Sequence, residues 1–216
     1  MLIANAVLET PDTVGFSFWP VADLPPYQFM ALSGSMSTLE VGSALAILAD
    51  YNWRAGGDDR PLTDASEAIR HLLETDKVIA PGGLRVHDTR TNVTVRPGCC
   101  CGLEDWREWL DVAKGETLWL GHDPSPRLEH ADEVVQLWPD SIDAQETTSG
   151  QPIEIVVGDL PGILHTVQVG LQGFLSLTKQ WATRHVPTFA EDLAARLDED
   201  LAISAPLPGT SGQHAP

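Results

Sequence analysis

The chain has 216 residues, 43% of them hydrophobic, with 31 acids against 13 Lys and Arg and a formal net charge of −18. That length suits one domain burying a sizeable core without a disulfide staple. The charge repels phosphate backbones and anionic lipid, so nucleic acid and membrane are poor partners; it suits a basic partner or a merely solubilising surface.

Residues 2–8 predict an opening strand. Two short strand-like pieces follow at 14–19 and 27–32, broken by Pro20, Pro25 and Pro26. Leu39, Leu45, Ile47 and Leu48 mark a helix over 38–50, with Gly42 its weak point. Gly56-Gly57-Asp58-Asp59 reads as a loop. A clearer helix covers 64–75: Asp64 with Glu67 three residues on is an N-terminal cap signature, and Ala65, Ala68, Ile69 and Leu72 share a face. Pro81-Gly82-Gly83 turns the chain into a hairpin over 84–88 and 92–96, with Leu84, Val86, Val93 and Val95 alternating.

A short helix is predicted over 103–113. Glu104 and Asp105 oppose its dipole, and Leu103, Trp106, Leu110 and Ala113 form its apolar stripe, with Trp109 alongside. Strands follow at 117–120, 126–138 and 152–158, with a polar loop over 139–151. Asp159 is placed to cap a long helix reaching about residue 184, whose stripe runs Leu160, Ile163, Leu164, Val167, Leu171, Phe174, Leu175, Trp181. Thr188 and Glu191 predict a capping box for a last helix bearing Leu193, Leu197 and Leu201. Residues 203–216 read as a disordered tail. The expected fold is α+β: a mixed or antiparallel sheet with hairpins, packed against C-terminal helices. One domain spans 1–202, and its 38–96 portion has the helix–helix–hairpin order of a winged helix.

No window reaches the ~20 apolar residues of a membrane span. Met1-Leu2-Ile3-Ala4 lacks the basic start of a signal peptide. Three adjacent cysteines do not make a secreted disulfide framework, so the expected compartment is the reducing cytoplasm.

Chemistry concentrates in the middle of the chain. Residues 99–146 hold 12 of the 31 acids and 3 of the 13 bases. Gly98-Cys99-Cys100-Cys101-Gly102 opens the helix at 103. Free amides there favour a thiolate, whereas Glu104 and Asp105 oppose one. The triplet reads either as a tight turn packed by small side chains or as a thiol or metal site. Gly121-His122-Asp123-Pro124-Ser125-Pro126 is either a structural turn or an acid/base couple. Cys99, Cys101 and His122, with His130, form a candidate zinc set without a recognised spacing. Signatures of nucleotide-binding loops, of serine hydrolases with a nucleophile elbow and of zinc proteases are missing. The hairpin's Arg85, Arg90 and Arg96 suit a DNA-binding wing. The helix before it carries Asp64, Glu67, Glu74 and Asp76 against Arg70 alone, which does not. Trp106, Trp109, Trp119 and Trp138 read as core or as binding anchors.

The stretch Gly98-Cys99-Cys100-Cys101-Gly102-Leu103-Glu104-Asp105-Trp106-Arg107-Glu108-Trp109-Leu110-Asp111, with Gly121-His122-Asp123-Pro124-Ser125-Pro126, resembles a family of uncharacterised actinobacterial proteins over about residues 77–201. That resemblance implies no activity. In size, acidity and lack of enzyme signatures the chain is also similar to immunity proteins of bacterial toxin systems. The leading expectation is therefore an acidic antagonist that neutralises a basic protein such as a toxin. Its contact residues would be Glu104, Asp105, Glu108, Asp111, Asp123, Glu129, Asp132 and Glu133. The alternatives are a metal- or thiol-dependent enzyme built on Cys99, Cys101 and His122 with zinc as cofactor, and a winged-helix regulator.

Overall fold

A computed structural model of the chain describes residues 1–11, 16–56, 60–139 and 150–208. The predicted loops at 57–59 and 140–149, the start of the 14–19 piece and residues 209–216 lie outside the described residues.

The fold is α+β, with two antiparallel sheets. The first has the order β2-β1-β3-β4, from β1 (Leu2–Glu9), β2 (Phe29–Ala31), β3 (Gly82–Asp88) and β4 (Val93–Val95). β1 is central: Leu8 pairs with Met30 on one side and Gly82 on the other. The second sheet, β5-β6-β7, is built from β5 (Arg127–Ala131), β6 (Val134–Trp138) and β7 (Ile153–Val156). The predicted strand over 126–138 is thus a hairpin, reversed at Asp132 with φ 55°. Residues 117–120 form no strand.

Helix α1 (Thr38–Ala55) is longer than predicted and begins with a full capping box between Ser37 and Glu40. Gly42, its weak point by propensity, is where Trp19 docks: the indole Nε1–H donates to Gly42 O at 2.8 Å. Helix α2 (Ala65–Glu74) is capped by Asp64, whose carboxylate accepts the Glu67 N–H at 2.9 Å. Helix α4 (Leu160–His185) lies against β1 and α1 through Leu164, Val167, Leu171, Phe174 and Trp181, all buried. Asp159 occupies the predicted N-cap position of α4 without a side-chain capping bond, and the Thr188–Glu191 pair forms no capping box. Helix α5 (Ala190–Asp200) starts from Phe189, and Glu191 pairs instead with Lys179 at 2.8 Å. Among the described residues no helix is long and apolar enough to cross a membrane.

Residues 103–108 form a 3-10 helix that passes into a single α-turn, α3 (Trp109–Val112). The buried residues are Leu103, Trp106, Trp109 and Val112. Their strict spacing of three is the 3-10 repeat, in which side chains at i and i+3 eclipse. The predicted Leu110 and Ala113 are only half-buried because they belong to the α period.

Two further expectations change. Ile203 and Leu207 are buried members of the core cluster, so residues 203–208 are packed. Gln168 Nε2 donates to Ile203 O and Ala205 O, both at 2.7 Å, and Arg107 Nε donates to Ala202 O at 2.8 Å. The helix–helix–hairpin order over 38–96 is present, yet its hairpin is no projecting wing. β3 pairs with β1 from Gly82 to Asp88, Arg85 is partly buried, and Arg90 is held by Asp88.

Candidate functional site

The two singled-out motifs meet. Cys99 N–H donates to His122 O at 2.6 Å and His122 N–H donates to Cys99 O at 3.2 Å, an isolated antiparallel bridge. Residues directly opposite on such a pair project to the same face. The loops come this close because both lack a side chain at the crossing. A Cβ on Gly121, whose φ is 88°, would lie 2.6 Å from Cys99 O, and one on Gly98 would lie 2.7 Å from Gly121 C.

Cys100 has φ 66°. In extended chain, alternate residues share a face. The left-handed turn at Cys100 breaks that alternation, so Cys99 Sγ and Cys100 Sγ stand 3.4 Å apart. The donor atoms of Cys99, Cys100 and His122 all lie within 4.8 Å of one another, and all three residues are exposed. Of the predicted set, Cys99 and His122 come together, joined by Cys100 rather than Cys101. Cys101 is half-buried with Sγ turned to Trp119 O at 3.9 Å, and His130 bonds Glu116 O at 2.9 Å through Nε2.

Negative groups ring the cluster. Hydrogen bonding to Cys100, then burial, and then the charges of Cys100, Glu9 and Asp123 push the Cys99 thiol up. Burial and the neighbouring thiols and carboxylates hold Cys101 up at about 11. The Tyr51 phenol, at the end of α1, is raised by burial and then by Cys100, Glu104, Cys99 and Glu9. Asp123 Oδ2 is 3.5 Å from His122 Nδ1, and the exposed Trp119 ring centres 6.4 Å from the His122 ring. A field that opposes thiolates opposes an activated nucleophile. The same field attracts a cation.

The eight predicted contact acids do not behave alike. Glu104 is folded inward: burial pushes its carboxyl up, and Oε2 accepts the Ala80 N–H at 2.9 Å. Asp105 pairs with Lys77 at 3.3 Å, Asp111 with Lys114 at 2.6 Å and Glu129 with Arg127 at 3.4 Å. Glu108, Asp132 and Glu133 are exposed and carry no ion pair among the described residues, and Asp123 meets only His122. Trp106 and Trp109 are core, whereas Trp119 is 63% exposed.

A second feature had no local signal. On β2 the pairs Leu8–Met30 and Ala6–Leu32 carry the bonds to β1, with Leu32 N–H donating to Ala6 O at 2.9 Å. Antiparallel pairs alternate, so the N–H and C=O of Phe29 and Ala31 face away from β1. They face an open groove of about 480 Å³, lined by Leu24, Pro25, Phe29, Met30, Met36 and Glu40 among others. β2 falls within the predicted 27–32 piece behind Pro25 and Pro26, but that it is an edge follows only from strand order.

No family model, curated protein or solved structure matches the chain.

Proposed function

We propose that the protein is a binding protein for a cationic partner, and that it takes an extended segment of that partner along the free edge of β2. The observation that carries this is a pair of outward strand positions, Phe29 and Ala31, which among the described residues pair with no further strand and border a groove walled by apolar and polar side chains alike. An edge strand supplies main-chain hydrogen bonds to an added strand, and alternate side chains enter pockets beside it. The groove is lined by one acid, Glu40, and no base, within a chain of net charge −18. Glu108, Asp123, Asp132 and Glu133 remain exposed to steer a basic protein towards the molecule. A basic toxin met by an immunity-type antagonist is one partner of this kind. Free, exposed Cys99 and Cys100 fit a reducing cytoplasm.

The test uses two extended peptides, one alternating Val and Lys, the other Val and Glu. The basic peptide should bind, with affinity falling as salt rises. Ala31→Pro deletes an outward N–H while the β1 ladder, carried by Met30 and Leu32, stays. It should weaken the basic peptide about tenfold or more, with little change in Tm. Equal binding of both peptides, or indifference to Ala31→Pro, would sink the reading.

A further inference from the structure

We infer that Cys99, Cys100 and His122 form a binding site for a soft divalent transition-metal ion of the zinc class, with one coordination position open to solvent. Two observations converge on it. The first is proximity: two sulfurs and one imidazole nitrogen already lie within 4.8 Å of one another. A tetrahedral ion with metal–sulfur bonds of about 2.3 Å sets its sulfurs about 3.8 Å apart. The sulfurs of Cys99 and Cys100 stand at 3.4 Å, so a few tenths of an ångström of side-chain rotation accommodates the ion.

The second is framework. The hydrogen-bonded bridge between Cys99 and His122 joins two loops far apart in sequence, and Gly98 and Gly121 admit no side chain at the crossing. Ligand direction is thus set by main chain, which lowers the ordering cost of binding.

The donor types choose the metal. Thiolate and imidazole suit zinc and its neighbours, while calcium and magnesium take oxygen ligands. Each cysteine binds as its thiolate, so two metal–sulfur bonds form as two S–H protons leave to solvent. Three protein ligands, all exposed, leave the fourth position for water or an external ligand, the arrangement of an open rather than a closed site.

The experiment is titration of the reduced full-length chain with cobalt(II) alone, then displacement by zinc. One cobalt per chain should bind, with thiolate-to-metal charge-transfer absorption, release of about two protons and quenching of Trp119 emission. Cys99→Ser, Cys100→Ser and His122→Ala should each weaken binding more than about 100-fold. Their circular dichroism should stay unchanged, since the three side chains are exposed. Cys101→Ser should bind as the unaltered chain does, and magnesium should fail to compete. Binding lost with Cys101→Ser but kept with Cys100→Ser would overturn this ligand set. A folded, reduced chain that takes up no cobalt would overturn the site. The peptide measurements on β2 are independent of either result.

Discussion

Asp88 shows how one residue carries a local argument. It is 1% exposed at the end of β3. Its Oδ1 accepts the Arg90 N–H at 2.9 Å, the Arg90 guanidinium stands at 3.3 Å and the N-terminal ammonium at 3.6 Å. The backbone bond from Arg90, then its side chain, hold the carboxyl down at about 2. A carboxyl depressed by folding stabilises the native state above its ordinary range near 4 and loses that contribution as pH falls towards 2. Asp88→Asn should therefore be destabilised at pH 7, and the gap from the unaltered chain should close between about pH 4 and 2. Urea unfolding across that range measures it, and a gap independent of pH would contradict the assignment. At the same scale, the thiols were legible as unusual but not as a pair. Adjacent residues in extended chain diverge, and the left-handed Cys100 that reunites them is a backbone property with no residue signature, since Cys is not a usual occupant of that region.

At the scale of elements, what the sequence revealed depended on which period each segment obeys. The stripe of α4 follows 3.6 residues and was legible from Leu160 to Trp181, as was the alternation in β3 and β4. The segment 103–112 obeys a spacing of three, so a reading at 3.6 puts Leu110 and Ala113 on the stripe, sets Trp109 beside it and misses Val112. The β5–β6 reversal was hidden because Asp132 and Glu133 lack the glycine that usually marks such a turn. One ion pair of the acidic segment has a tertiary origin: Lys77 reaches Asp105 across 28 positions, a separation no local pattern reports. The 3-10 segment is also a structural anchor. Trp106 Nε1–H donates to Leu201 O at 2.8 Å in the buried core. Trp106→Phe keeps an aromatic ring but orphans that carbonyl and shrinks the packed volume, so a loss of about 2–3 kcal/mol is expected. Denaturant unfolding reads the loss, and faster amide exchange at residues 201–207 would locate it.

At the scale of the molecule, one cluster of buried side chains runs from Ala4 in β1 to Leu207. Residues 201–207 stitch that cluster closed, bonded by Trp106, Arg107 and Gln168 from two separate elements. Truncation after Ala202 removes Ile203 and Leu207, 0% and 2% exposed, and strips the Gln168 amide of both acceptors. Each side chain contributes about 1.5–3 kcal/mol on burial, so a total loss of about 3–6 kcal/mol is expected. Calorimetry should show a fall in Tm of many degrees, whereas an unchanged Tm would mean the segment is only draped over the surface.

That stitched segment also sets a schedule for a chain emerging from the ribosome. β1, at positions 2–9, pairs with β3 from position 82 onwards and packs on α4, which ends at His185. Leu201 to Leu207 then complete the wall around Trp106 and Gln168. During synthesis β1 and its apolar neighbours therefore stay incompletely buried until α4 and the segment after it have been made. Over that interval mutual repulsion among its many carboxylates opposes self-association of the unfinished chain.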